Sequence, residues 1–210
     1  VKDHILIKEG IPILIIATIL TIILYIINPL LSIIGIGIII FIFYFFRDPK
    51  RIIDKQDFIV VSPADGLITN IEEVYEEKFF KAKAIRVSIF MSPLDVHINR
   101  GPISGEIKYI EYKKGKFTPA TKFESHLVNE KNYIGIENSN IKVLVVQIAG
   151  AMARRIVNWV ETNQEIQMGD KIGMIKFSSG TQIFLPLGTE IFVNEGEKVV
   201  SGITIIGRYQ

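Results

Sequence analysis

Hydrophobic and polar residues are segregated along this chain, and the segregation predicts two parts. From Gly10 to Phe46 no side chain is charged and most are Ile, Leu or Phe. That run is about twice the roughly 20 residues that cross a hydrocarbon core as a helix. Asn28-Pro29 interrupts it near the middle. Proline lacks a backbone donor and keeps its predecessor out of the helical region, so the run divides into helices over about Pro12–Ile27 and Leu30–Phe46, a helical hairpin. Each arm reaches only about 24–26 Å at 1.5 Å per residue, which fits either a span of a thinned bilayer or a dip from one side. A secretory signal is the rival, but its apolar core runs about 7–15 residues and ends in small residues; this run is longer and bulkier.

Beyond Arg47 the pattern changes to short β-rich runs broken by Gly, Pro, Asn and Asp. Strands are predicted at Phe58–Val61, Leu67–Val74, Ala84–Met91, Glu106–Tyr112, Tyr133–Glu137, Lys142–Ala149, Lys171–Phe177, Gln182–Leu185, Glu190–Val193 and Ile203–Gly207. Alternation is clearest in Ile141–Ile148 and Ala84–Met91, and long amphipathic helices are missing, so the fold class is mainly β (α+β), an antiparallel barrel-like or sandwich domain. Residues 1–47 form the membrane-anchoring hairpin and 48–210 the β domain. Tyr112–Lys131 is polar and aperiodic, a long loop of the kind that is often functional.

Composition narrows the chemistry. Lys and Arg total 24 against 22 Asp and Glu, a formal charge of +2 without a long basic run, so nucleic acid is not the expected partner. Cysteine is absent, which excludes disulfides, Cys-ligated zinc, iron–sulfur clusters and thiol nucleophiles. His4, His97 and His126 show no metal-ligand spacing, no Gly-x-Ser-x-Gly elbow occurs, and Gly35-Ile36-Gly37 lies inside the apolar run. Lys2 and Lys8 precede that run and Arg47, Lys50 and Arg51 follow it. Basic flanks on both sides place both in the cytoplasm, and the β domain with them, on the inner face of the cell membrane.

Three polar strings remain. Ser62-Pro63-Ala64-Asp65-Gly66 follows the first strand and reads either as an ordinary turn, with Pro presetting φ and Asp bonding its neighbours, or as a site in which Asp65 orients a base. Met91-Ser92-Pro93-Leu94-Asp95-Val96-His97-Ile98-Asn99-Arg100 carries the one histidine flanked on both sides by strands, and an imidazole takes and returns a proton near neutrality; a structural histidine is the other reading. Phe177-Ser178-Ser179-Gly180-Thr181 is by composition a polar turn. A serine in a tight turn beside glycine can also aim its hydroxyl at the preceding carbonyl. Attack there turns the Ser178–Ser179 amide into an ester, β-elimination leaves dehydroalanine, and hydrolysis leaves a pyruvoyl group, a carbonyl cofactor made from the chain itself. The Gly-centred turns of the tail, Met168-Gly169-Asp170, Leu187-Gly188, Asn194-Glu195-Gly196 and Ser201-Gly202, are similar to those of biotinyl and lipoyl carriers. They keep open a non-enzymatic alternative, a membrane-tethered adaptor, although its hairpin-tip lysine is replaced here by Ser178-Ser179-Gly180.

Taken in order, Phe45-Phe46-Arg47-Asp48-Pro49, Ser62-Pro63-Ala64-Asp65-Gly66, Met91-Ser92-Pro93 with Asp95-Val96-His97, Gln147-Ile148-Ala149-Gly150 with Ala153-Arg154-Arg155-Ile156, and Phe177-Ser178-Ser179 resemble the phosphatidylserine decarboxylases, specifically their short archaeal-type and proteobacterial branch. The resemblance implies conversion of phosphatidylserine to phosphatidylethanolamine and CO2 through a Schiff base with a self-generated pyruvoyl group, without metal or pyridoxal phosphate. It implies that Ser179 becomes the pyruvoyl, that cleavage leaves chains 1–178 and 179–210 bound to each other, that Asp65 supports the base, and that His97 serves decarboxylation and maturation. Arg86, Arg100, Arg154 and Arg155 are candidate contacts for the lipid phosphodiester or an anionic bilayer, and a homodimer fits the family. Two positions depart from its pattern: the residue before the cleaved serine is Ser178 where glycine is usual, and the second histidine of the long branch is replaced by Arg100.

Overall fold

The computed structural model describes residues 7–53, 56–116, 128–150, 155–176 and 179–210. The chain divides into two compact units, Val1–Lys50 and Arg51–Gln210.

In the first unit a 3-10 turn at Lys8–Gly10 leads into α1 (Ile11–Ile27), and α2 (Pro29–Phe45) follows after Asn28 alone. The extended backbone of Asn28 ends α1, its side chain accepts from the Leu30 amide, and Pro29 occupies the first turn of α2, the position where a missing N–H costs nothing. The helices run antiparallel: the Ile7 amide donates to the Phe46 carbonyl at 3.0 Å, joining the start of one to the end of the other. Gly35 permits the close approach, since a Cβ there would lie 2.3 Å from Thr21 Oγ1. Little of the apolar surface is covered: Ile26, Ile27 and Leu30 at the tip are at least 70% exposed. The segment Lys8–Ile27 is long and apolar enough to cross a membrane, and α2 is a shorter apolar helix.

The second unit is built of β1 (Ile59–Val61), β2 (Gly66–Glu76), β3 (Ala82–Met91), β4 (Ile98–Arg100), β5 (Gly105–Lys113), β6 (Lys131–Glu137), β7 (Lys142–Ala149), β8 (Ile156–Asn158), β9 (Glu165–Ile166), β10 (Lys171–Ile175), β11 (Ser179–Pro186), β12 (Glu190–Ile191), β13 (Lys198–Val199) and β14 (Ile205–Arg208). They form an eight-stranded sheet in the order β13-β2-β3-β11-β7-β6-β5-β9 and two three-stranded sheets, β1-β14-β12 and β4-β10-β8, with every strand pairing antiparallel. The ten predicted strands are present, and the mainly β architecture with it. Short β4, β8, β9 and β13 carry too few residues for a readable alternation.

Alternation sets the two faces of the large sheet. Ile68, Val87, Ile89, Ile134, Val145 and Ile183 point inward to the main core, which Val60, Ile172 and Ile206 of the small sheets complete. Leu144, Val146, Ile148 and Phe184 point outward and are covered by Phe80 and Phe79 from the β2–β3 turn. The expected loop Tyr112–Lys131 is shorter in fact, because Tyr112 and Lys113 complete β5 and Lys131 opens β6; residues 117–127, with His126, lie outside the described part, as do Lys2 and His4.

Candidate active site

Central strand β11 begins at Ser179, between Met91 of β3 and Ala149 of β7. The residue is fully buried, and its hydroxyl approaches Met91 Sδ at 3.5 Å. Ala149 is fixed in turn, its carbonyl accepting from Asn129 Nδ2 at 2.6 Å and its amide donating to the Glu130 carbonyl at 3.0 Å. A carrier domain would present its modified residue at an exposed tip. Ser179 and Gly180 instead lie buried on a central strand of the sheet, a placement that gives the adaptor alternative no support. Phe177, Ser178, Ala153 and Arg154 lie outside the described residues.

His97 is wholly buried just before β4. Its Nδ1 lies 2.9 Å from the Asp95 carbonyl. A carbonyl only accepts, so Nδ1 carries a proton in this contact. Asp95 holds the preceding turn by accepting from the Ser92 amide. The His97 carbonyl receives the Ile175 amide at 3.1 Å, which sets β4 against the end of β10, four residues before Ser179.

The Ser62–Gly66 turn is fastened to the same strand: the Pro63 carbonyl accepts from the Arg100 amide at 2.9 Å and from Asn99 Nδ2 at 3.3 Å. Asp65 engages Arg51 at 2.8 Å and the Ser201 amide at 2.8 Å, so its charge is spent on tying this turn to the chain entering the domain and to the C-terminal turn. Gly66 is required here, because a Cβ would stand 2.2 Å from the Phe90 carbonyl oxygen. Arg100 is 6% exposed, with its guanidinium on the Gly169 carbonyl at 2.9 Å. Arg86 stands apart: it pairs with Phe184 on the face opposite Ser179 and forms an ion pair with Glu72.

Sequence reasoning gave no role to a chain of buried amides beneath the site. Asn132 Nδ2 donates to Gln147 Oε1 at 2.8 Å, Gln147 Nε2 to Asn99 Oδ1 at 2.8 Å, and Asn99 Nδ2 to Thr181 Oγ1 at 2.9 Å, while Thr181 Oγ1 lies 3.3 Å from Met91 Sδ. All four residues are at most 1% exposed. The available signal was parity: Gln147 falls in register with inward Val145 and Ala149, and Asn132 with Ile134 and Ile136, where a polar side chain must find a buried partner. Nearby, the Tyr112 hydroxyl donates to Glu130, and burial together with that carboxylate pushes the phenol well above its usual range. Among the described residues no cluster of three or more His, Asp or Glu side chains is arranged to hold a metal.

Comparison with known proteins is consistent along the chain. The profile of the family described as phosphatidylserine decarboxylase matches residues 38–207. A phosphatidylserine decarboxylase proenzyme of Carboxydothermus hydrogenoformans is 43% identical over 202 residues, covering 96% of this chain and 95% of that protein. Proenzymes of the same name from Symbiobacterium thermophilum, 46% identical with 82% and 80% covered, and from Wolbachia sp., 48% identical with 78% and 73% covered, are also similar. A shared profile over most of the chain, together with these identities, shows that the chain belongs to the phosphatidylserine decarboxylase family.

Proposed function

We propose that this chain is a proenzyme that cleaves itself between Ser178 and Ser179 and then converts phosphatidylserine to phosphatidylethanolamine and CO2, working from the cytoplasmic side of the inner membrane. The observation that carries the reading is the buried Ser179 hydroxyl at the first position of the central strand, resting against a thioether. Attack by Oγ on the Ser178 carbonyl exchanges the amide for an ester. Elimination frees the Ser178 carboxylate, and water converts the dehydroalanine end to a ketone with loss of ammonia.

The residues around Ser179 suit such a group. Among the described residues its hydroxyl meets a weak sulfur acceptor rather than a charge, so an uncharged carbonyl in its place strands no donor. Ala149 and Met91 would flank it. A pyruvoyl group supplies the electron sink that loss of CO2 from an amino acid requires and that no ordinary side chain offers.

His97 holds the proton inventory: Nε2 takes a proton during maturation and gives one to the α carbon after CO2 leaves, while the Asp95 carbonyl keeps the ring oriented. Asp65 is the positioning group for that histidine, through the turn it shares with Arg51 and Ser201 and the Pro63 carbonyl it sets on β4. Arg100 braces the same junction, and Arg154 and Arg155 are left to meet the lipid phosphodiester. A diacyl substrate leaves the bilayer reluctantly, each buried CH2 being worth about 0.8 kcal/mol, and the exposed aliphatic surface of the hairpin supports bringing the site to the lipid. In the test, the Ser179→Ala chain stays whole and releases no labelled CO2 from carboxyl-labelled phosphatidylserine in vesicles, whereas the unaltered chain divides and does; CO2 release by the Ala variant overturns the reading.

A further inference from the structure

The amide chain under the site runs in one direction, each member donating to the next, from β6 through β7 and β4 to β11. Its end is the Thr181 hydroxyl. Thr181 Oγ1 already accepts from Asn99 Nδ2, and it lies 3.3 Å from Met91 Sδ, toward which its own proton points. Ser179 lies two residues earlier on the same inward face, and its Oγ reaches the same sulfur at 3.5 Å. One soft acceptor thus receives two hydroxyls, and that of Thr181 is held by three buried amide side chains.

We propose that Thr181 and Met91 form the seat that orients the Ser179 hydroxyl for self-cleavage, with Thr181 a positioning residue acting through the Met91 sulfur. The proposal rests on the reading of Ser179 as the cleaved residue and deepens it. Two features make the seat suitable. Serine Oγ has three staggered positions, and the sulfur on the inner wall selects one of them. A thioether is also a weak acceptor, so the serine proton passes to a base at little cost; a carboxylate or amide oxygen in that place would hold it. The amide chain keeps the Thr181 hydroxyl from turning away, because Asn99 Nδ2 donates to one of its two lone pairs while its proton lies toward the sulfur.

The test uses the full chain made by cell-free translation into phospholipid nanodiscs, with the fraction cleaved followed over time by denaturing electrophoresis. Thr181→Val keeps the shape and removes the hydroxyl; Thr181→Ser keeps the hydroxyl. Val slows cleavage roughly tenfold, the effect of losing one hydrogen bond in the rate-limiting arrangement, and Ser stays within about twofold of the unaltered chain, a rescue that lost packing would not produce. Val cleaving at the unaltered rate, or Ser as slow as Val, overturns the proposal. Where the Val chain does not accumulate folded, Met91→Leu, a volume-conserving change, takes its place: slowed cleavage supports the seat and an unaltered rate overturns it. A parent chain that never divides at 178/179 refutes the proposed self-cleavage itself.

Discussion

Gly66→Ala is the sharpest test of how the fold holds the site. The added Cβ would lie 2.2 Å from the Phe90 carbonyl oxygen and 2.9 Å from Ile89 Cγ2. Carbon and oxygen come to rest at about 3.3 Å, so β2 and the end of β3 must separate by about 1 Å. Overpacking of this kind costs about 1–3 kcal/mol, and the stretched ladder beside Leu67 and Phe90 adds about 1 kcal/mol per weakened bond, for a total of about 2–4 kcal/mol. Met91 follows Phe90 directly, and its sulfur is the contact of Ser179, so the shift reaches the serine. Misplacing a reacting group by about 1 Å costs on the order of a hundredfold in rate. Denaturant titration followed by the fluorescence of Trp159, the chain's one tryptophan, should show a lowered midpoint, and mass spectrometry under denaturing conditions should show slowed division. Gly37→Ala is the control, because a Cβ there meets nothing within 4 Å. If Gly66→Ala matched the unaltered chain in both midpoint and cleavage, the argument that this turn fixes the site would be refuted.

Other perturbations probe separate links. Asp65→Asn leaves the Arg51 guanidinium without its carboxylate where both side chains keep only a little over a tenth of their surface; a loss of about 2–4 kcal/mol by denaturant titration and slower cleavage are expected, and an unchanged midpoint would contradict the ion pair's role. Ile19→Lys puts a charge on an exposed face of α1, at a cost of about 2.5–3.5 kcal/mol in hydrocarbon; flotation with liposomes should fall roughly a hundredfold, and undiminished flotation would show that this face does not meet lipid. Burial, then Glu111, Glu76 and Glu77, push the Tyr133 phenol up to about 12. A phenol harder to ionise when folded leaves stability intact below its ordinary pKa near 10 and removes it as pH rises toward 12, so the midpoint should fall over that window and fall less in Tyr133→Phe; equal slopes would count against the buried phenol.

Much of this was legible in the sequence because the strongest signals are local. The uncharged run and the Asn28-Pro29 break gave both helices to within a residue or two, since a proline and a side-chain cap act within one turn. The long strands followed from alternation, and the adaptor alternative arose because Gly-centred turns look the same whether they present an exposed tip or join buried strands. What escaped was long-range. Thr181 meets Asn99 across 82 residues of sequence and Gln147 meets Asn99 across 48, and no period or spacing reports such a meeting. Asp65 read as support for a base, and its contacts with Arg51 and the Ser201 amide, 14 and 136 residues away, could not be read from spacing. Arg86 looked like its fellow arginines until strand register set it on the far face of the sheet.

The claim beneath all of this is that the Ser179 hydroxyl breaks its own upstream peptide bond and leaves a carbonyl behind. Mass spectrometry of the purified, active protein under denaturing conditions, before and after borohydride reduction, tests it most directly. The account predicts two polypeptides, residues 1–178 and 179–210, the smaller starting with a blocked residue that gains two hydrogens on reduction. A single polypeptide that is active, uncleaved and unreactive to borohydride would contradict it.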